Sequence, residues 1–108
     1  MFRWPDRETV LAAARHWAAT LRTREPAVRV VMCIGSYARG NWGVGSDLDV
    51  IVILEESNLS PTERYARYYP DGLPVPADLW VYTRAEWEAM AACSPRLWER
   101  IQREMVAL

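Results

Sequence analysis

Gly35-Ser36-Tyr37-Ala38-Arg39-Gly40 follows the apolar run Ala27 to Ile34, and ten residues separate Ser36 from Asp47 in Ser46-Asp47-Leu48-Asp49-Val50-Ile51-Val52-Ile53-Leu54. The run Ala27 to Ile34 is rich in valine and isoleucine and stops at a glycine, which predicts a buried strand followed by a sharp turn. Residues 35–46 carry Gly35, Gly40, Gly43 and Gly45 and read as a loop. Asp47 to Leu54 sets two acids among aliphatic residues and then runs apolar, as expected of a strand that starts at a wet edge and continues into a core.

Outward from these two strands the helical signals are regular. From Asp6 to about Arg24, the residues Val10, Leu11, Ala14, Trp17, Ala18 and Leu21 recur at helical spacing, with Asp6 as N-cap and Pro26 beyond the end. Ser60, Pro61 and Glu63 open a short helix through Tyr69, closed by Pro70, Asp71 and Gly72. A third strand is predicted from about Val75 to Tyr82. Thr83 with Glu86 forms a second capping box ahead of a helix carrying Trp87 and Met90. Ser94 and Pro95 open a last helix with Leu97, Ile101, Met105 and Leu108 on one face. The order is helix, strand, strand, helix, strand, helix, helix. The expectation is an α/β (α+β) fold, a small mixed sheet flanked by helices, with residues 1–108 as a single domain and no linker or repeat to divide it.

Composition narrows the function classes. The 108 residues are 51% hydrophobic and 25% charged, an ordinary globular balance. Thirteen basic residues, all arginine, against fourteen acidic ones give a formal net charge of -1, without the broad positive field of a nucleic-acid binder. Cys33 and Cys93 are too few for a disulfide scaffold, lack metal-ligand spacing and read as buried free thiols. No signal peptide and no stretch near the roughly 20 apolar residues needed to span a bilayer is present, so a cytoplasmic protein is expected. At this length little material remains for a deep pocket, and a second subunit is a way to complete one.

The chemistry concentrates on the acids. On a strand, Asp47 and Asp49 leave the same face roughly 7 Å apart, close enough to converge on metal ions, while Leu48 and Val50 turn into the core. Like charges beside an apolar strand are costly without a partner, and hard carboxylate oxygens suit Mg²⁺. Asp78 lies between Ala77 and Leu79 in the third strand, where an acid is again out of place, and it could reach the same site. Three carboxylates answer to a two-metal phosphoryl or nucleotidyl transfer, with Asp78 as the ligand or base nearest the nucleophile. Backbone N–H groups at Gly35 and Ser36, with the Ser36 hydroxyl, could cradle a phosphate, and Arg39 could clamp a phosphate oxygen.

Together, the Gly35–Ser36 turn, Arg39, the spaced Asp47-Leu48-Asp49 and a later strand acid resemble the signature of the DNA polymerase β-like nucleotidyltransferases, and more narrowly the minimal nucleotidyltransferases. The resemblance implies transfer of a nucleoside monophosphate from ATP or another triphosphate, with Mg²⁺ on Asp47, Asp49 and Asp78 and phosphate contacts from Gly35, Ser36 and Arg39. Family members of this size are often antitoxins paired with a helical HEPN-type RNase toxin, which some inactivate by attaching AMP to a tyrosine. Aminoglycoside nucleotidyltransferases are similar in the same motif but add a helical domain for the acceptor. None follows the motif here, which favours a macromolecular acceptor or an oligomer.

Plainer readings stand beside these. Arg39 could pair with a surface acid. The lone His16 lies among alanines without a second histidine at ligand spacing and reads as structural. Trp17, Trp87 and Trp98 fall at helical core spacing, whereas Trp42, Tyr65, Tyr68 and Tyr69 could stack on a base, meet a partner or form a dimer patch. The functional alternatives are a binding module that masks a toxin without catalysis, a small-molecule nucleotidyltransferase, and nucleotide addition to RNA, for which the expected basic groove is missing.

Overall fold

The structure, a computed structural model, describes residues 4–41, 43 and 45–108. Trp42, singled out for stacking, lies outside the described residues. In chain order the elements are α1 (Arg7–Arg24), β1 (Val28–Ile34), α2 (Gly35–Arg39), β2 (Leu48–Leu54), α3 (Pro61–Tyr68), β3 (Ala77–Thr83), α4 (Arg84–Cys93), α5 (Pro95–Glu104) and β4 (Val106–Ala107). The strands form one mixed sheet in the order β3-β2-β1-β4. β1 runs antiparallel to β2 and to β4, and β2 runs parallel to β3 through the α3 crossover. A helix-flanked mixed sheet is therefore what the chain adopts.

Several expectations fail locally. Residues 35–46 are not all loop: Gly35–Arg39 form a short helix, ended by Gly40 in the left-handed region with its N–H donated to the Ser36 carbonyl at 2.9 Å. The last helix does not run to Leu108. It stops at Glu104, and Val106 pairs with Cys33 as a fourth strand while the Leu108 N–H reaches the Val31 carbonyl at 2.9 Å. Of the predicted stripe only Ile101 is buried, and Leu97 is exposed. Met105 and Leu108 still turn inward, but from extended chain, because β1 offers an open edge for their backbone. Cys33 is buried as expected, but Cys93, expected to be buried, is exposed, because it ends α4, a helix with no fully buried residue.

Alternation along the strands sorts side chains to two faces. On one, Val31, Cys33, Leu48, Val50, Val52, Leu54 and Leu79 pack against Val10, Leu11, Ala14, Ala18 and Leu21 of α1. On the other, Met32, Ile51 and Ile53 pack against Ile101 of α5, with Tyr82, Trp87 and Met90 around them. Trp17 and Trp87 are packing residues, as their spacing suggests. Both capping boxes form, Ser60 with Glu63 and Thr83 with Glu86. Buried Arg64 ties the two helices together, its guanidinium 2.6 Å from Glu86 and its Nε donating to the Leu59 carbonyl at 3.0 Å. Of the tyrosines, Tyr68 is buried, Tyr69 is half-buried and Tyr65 is exposed.

Candidate active site

Register decides where the acids meet. Asp49 on β2 lies opposite Ile34 on β1 and opposite Asp78 on β3, so the end of one strand and the starts of two others coincide. Neighbouring strands are about 4.8 Å apart, which makes Asp49 and Asp78 direct cross-strand neighbours on one face. That is the face of Ile51 and Ile53, beyond the part that α4 and α5 cover. Asp47 stands one residue before β2 rather than on it, and is exposed, as is Asp78; Asp49 is half-buried.

The electrostatics bind the three together. Asp49 is held above the ordinary carboxylate range first by burial and then by the negative charges of Asp78 and Asp47, with Arg39 acting in the opposite direction. The neighbouring Cys33 thiol is pushed up to about 11, by burial and then by Asp49, so it is an inert core group. Asp49 bears the repulsion of the other two, and carboxylate oxygens are the kind of donor that a hard divalent cation takes. As they stand the aspartates form an open set; among the described residues no three acidic, histidine or cysteine side chains are gathered closely enough to enclose an ion.

The Gly35 turn is built against this group. Its φ is +75°, a backbone conformation that glycine adopts without penalty, and a Cβ placed there would fall on the Asp49 carboxylate. Gly35 is the first residue of α2 and Ser36 the second, so both stand at the same end of the sheet as Asp49. Arg39, at the other end of α2, forms an ion pair with Glu104 of α5 at 3.2 Å, the plainer of its two expected roles.

Sequence reading missed what holds α2 in place. Tyr37 is fully buried in the α1 side of the core, and its hydroxyl accepts from Trp4 Nε1 at 3.0 Å. Arg7 Nε donates to the Tyr37 carbonyl at 2.6 Å and its guanidinium reaches the Ala38 carbonyl at 3.4 Å. These bonds satisfy carbonyls near the end of the short helix. One signal was available: Ser36-Tyr37-Ala38-Arg39 before Gly40 is a helical turn with a glycine C-cap. The Arg7 and Glu104 contacts have no local signal, since 30 and 65 residues separate the partners.

Residues 17–107 match the family model of the nucleotidyltransferase domain. The chain belongs to that family. Two solved structures share its fold. One is a protein described as a nucleotidyltransferase from Sulfolobus solfataricus, with a TM-score of 0.65 and 17% identity over 94% of this chain and 80% of that one. The other is a chain of a toxin–antitoxin structure with AMP-PNP, with a TM-score of 0.54 and 17% identity over 95% of this chain and 72% of that one. No curated protein matches it. The nucleotidyltransferase domain thus contains the Gly35–Ser36 turn and all three aspartates, and among the described residues no helix is long and apolar enough to cross a membrane.

Proposed function

We propose that this chain, acting as a single cytoplasmic domain, transfers AMP from ATP to a protein partner, a HEPN-type RNase toxin that it neutralises as antitoxin. The observation that carries the reading is the cross-strand pairing of Asp49 with Asp78 beside the Gly35 turn, inside a domain of nucleotidyltransferase type. The fold shared with a chain of a toxin–antitoxin structure supports the choice of partner.

In this reading the acceptor hydroxyl oxygen bonds the α-phosphorus of ATP as pyrophosphate leaves, and Asp47, Asp49 and Asp78 would hold Mg²⁺, which would acidify that hydroxyl and neutralise the departing pyrophosphate. Gly35 leaves room for the phosphates to approach the backbone, and the Ser36 hydroxyl and N–H groups of the turn orient them. Asp78, exposed on the edge strand β3, stands where an acceptor hydroxyl arrives from solvent and takes its proton. Arg39 holds Glu104 through Nη1 in a part-exposed pair, so its other guanidinium N–H groups can meet a phosphate. The alternative is a module that masks the toxin by binding alone.

The test is transfer of label from α-labelled ATP, with Mg²⁺, into a lysate of the protein's own source, comparing wild type with Asp47→Asn. Wild-type-dependent label on one small protein is expected, absent with the variant. Asp47→Asn that neutralises the toxin as well as wild type would establish masking instead, and label on RNA would replace the protein acceptor.

A further inference from the structure

β3 is an edge strand, and its outward backbone groups are only partly used. The Leu48 N–H donates to the Pro76 carbonyl at 2.9 Å, so residues 76, 78, 80 and 82 turn their backbone groups toward β2, and 77, 79, 81 and 83 turn theirs outward. Two side chains close the ends of that outward row. At one end the Tyr69 hydroxyl lies 3.2 Å from the Ala77 carbonyl and 3.4 Å from its N–H. At the other, the Thr83 N–H donates to Glu86 Oε1 at 2.7 Å. Between them, the N–H and C=O of Leu79 and Val81 meet no partner among the described residues. They border an open cleft of ≈ 320 Å³ whose other wall carries Pro61 and Tyr65 of α3. Trp80, between them in sequence, is 41% exposed and Tyr65 46%.

We propose that this window is a dimer interface, filled by the same window of a second copy of the chain. Leu79 and Val81 offer two donors and two acceptors, and an antiparallel strand presenting the same four groups satisfies all of them at once. Leu79 pairs with Val81 of the copy, and Val81 with its Leu79, each pair exchanging two hydrogen bonds. A slip of two residues in either direction leaves only one such pair, so the closed ends at Ala77 and Thr83 set the register as well as the length. Trp80 then faces Trp80 of the copy across the two-fold axis, in a non-hydrogen-bonded pair with Cα atoms about 4.5 Å apart. Asp78 faces the copy's Tyr82, so no like charges oppose one another. Because the window is self-complementary, a single two-fold contact satisfies the open groups of both chains at once, and the exposed Trp80 supplies the apolar area.

Sedimentation equilibrium of the purified chain over the micromolar range tests the pairing. A dimer is expected, with Trp80→Lys weakening it about tenfold or more by setting two like charges opposite one another. In a Cys93→Ser background, Trp80→Cys is expected to oxidise to a covalent dimer, while the exposed Leu97→Cys is not; this readout holds even if Trp80→Lys fails to fold. A monomer throughout with no Trp80→Cys cross-link overturns the proposal. So does a dimer that Trp80→Lys leaves unchanged, or cross-linking at Leu97→Cys as readily as at Trp80→Cys.

Discussion

The two halves of β2 share one face and have opposite fates. Ile51 and Ile53 lie under α4 and α5, whereas Asp49, two residues before Ile51, stands beyond that cover and beside Asp78. The covered half gives up water for packing. The other half keeps a charge that packing would not tolerate, and its carboxyl is held above its ordinary range as a result. Stability and chemistry are therefore divided along a single strand, and the division can be broken at either end.

Asp49→Asn should produce the largest change. Loss of one of three metal-holding groups is expected to lower nucleotidyl transfer roughly a thousandfold, about 4 kcal/mol of transition-state stabilisation. The melting temperature without divalent cation should not fall, because the variant removes repulsion rather than a contact. Transfer of α-labelled ATP and thermal melting, measured on the same preparation, check both halves of the statement.

Ile51→Ala is the converse. Truncating a buried isoleucine should cost about 2–5 kcal/mol, read by urea denaturation, with transfer by the remaining folded protein little changed. If transfer fell as far as in Asp49→Asn, the two halves would not be separable.

Gly35→Ala sharpens the boundary between them. Its positive φ alone costs an alanine about 1–2 kcal/mol, and the new Cβ displaces the Asp49 carboxylate. Stability should drop by that amount, and the rise in melting temperature that Mg²⁺ gives the wild type should shrink.

The smallest effect is one of pH. Asp49 binds its proton more readily folded than unfolded, so above its folded pKa the fold carries a penalty. Stability lost as pH rises through the window above the ordinary carboxylate value is regained as pH falls back through it. In chelator, the stability difference between wild type and Asp49→Asn should therefore narrow as pH is lowered from about 7 toward that value, measured by urea titrations at each pH.

Much of the candidate site was legible because its signals are local. Asp-x-Asp at a strand start, a glycine after an apolar run and an acid within a third strand are visible within a few residues each. The partners of α2 were not. Tyr37 reads as one residue in a glycine-rich loop until Trp4 and Arg7 of the N-terminal segment are folded over it. The last helix failed for a related reason: helical spacing continued through Met105 and Leu108, and an open edge of β1 took the backbone instead.

By itself, then, the sequence determined the strands and helices other than α2 and β4, which residue types carry charge into the apolar strands, and the family to which their spacing belongs, since periodicity and motif spacing are properties of the chain alone. Only the tertiary structure decided that Asp49 and Asp78 share a rung, that Arg39 is paired with Glu104, and that Leu79 and Val81 are left open between two closed ends. Register, ion pairing and edge exposure depend on which strands become neighbours, and residues distant in sequence settle that by burying their apolar faces together.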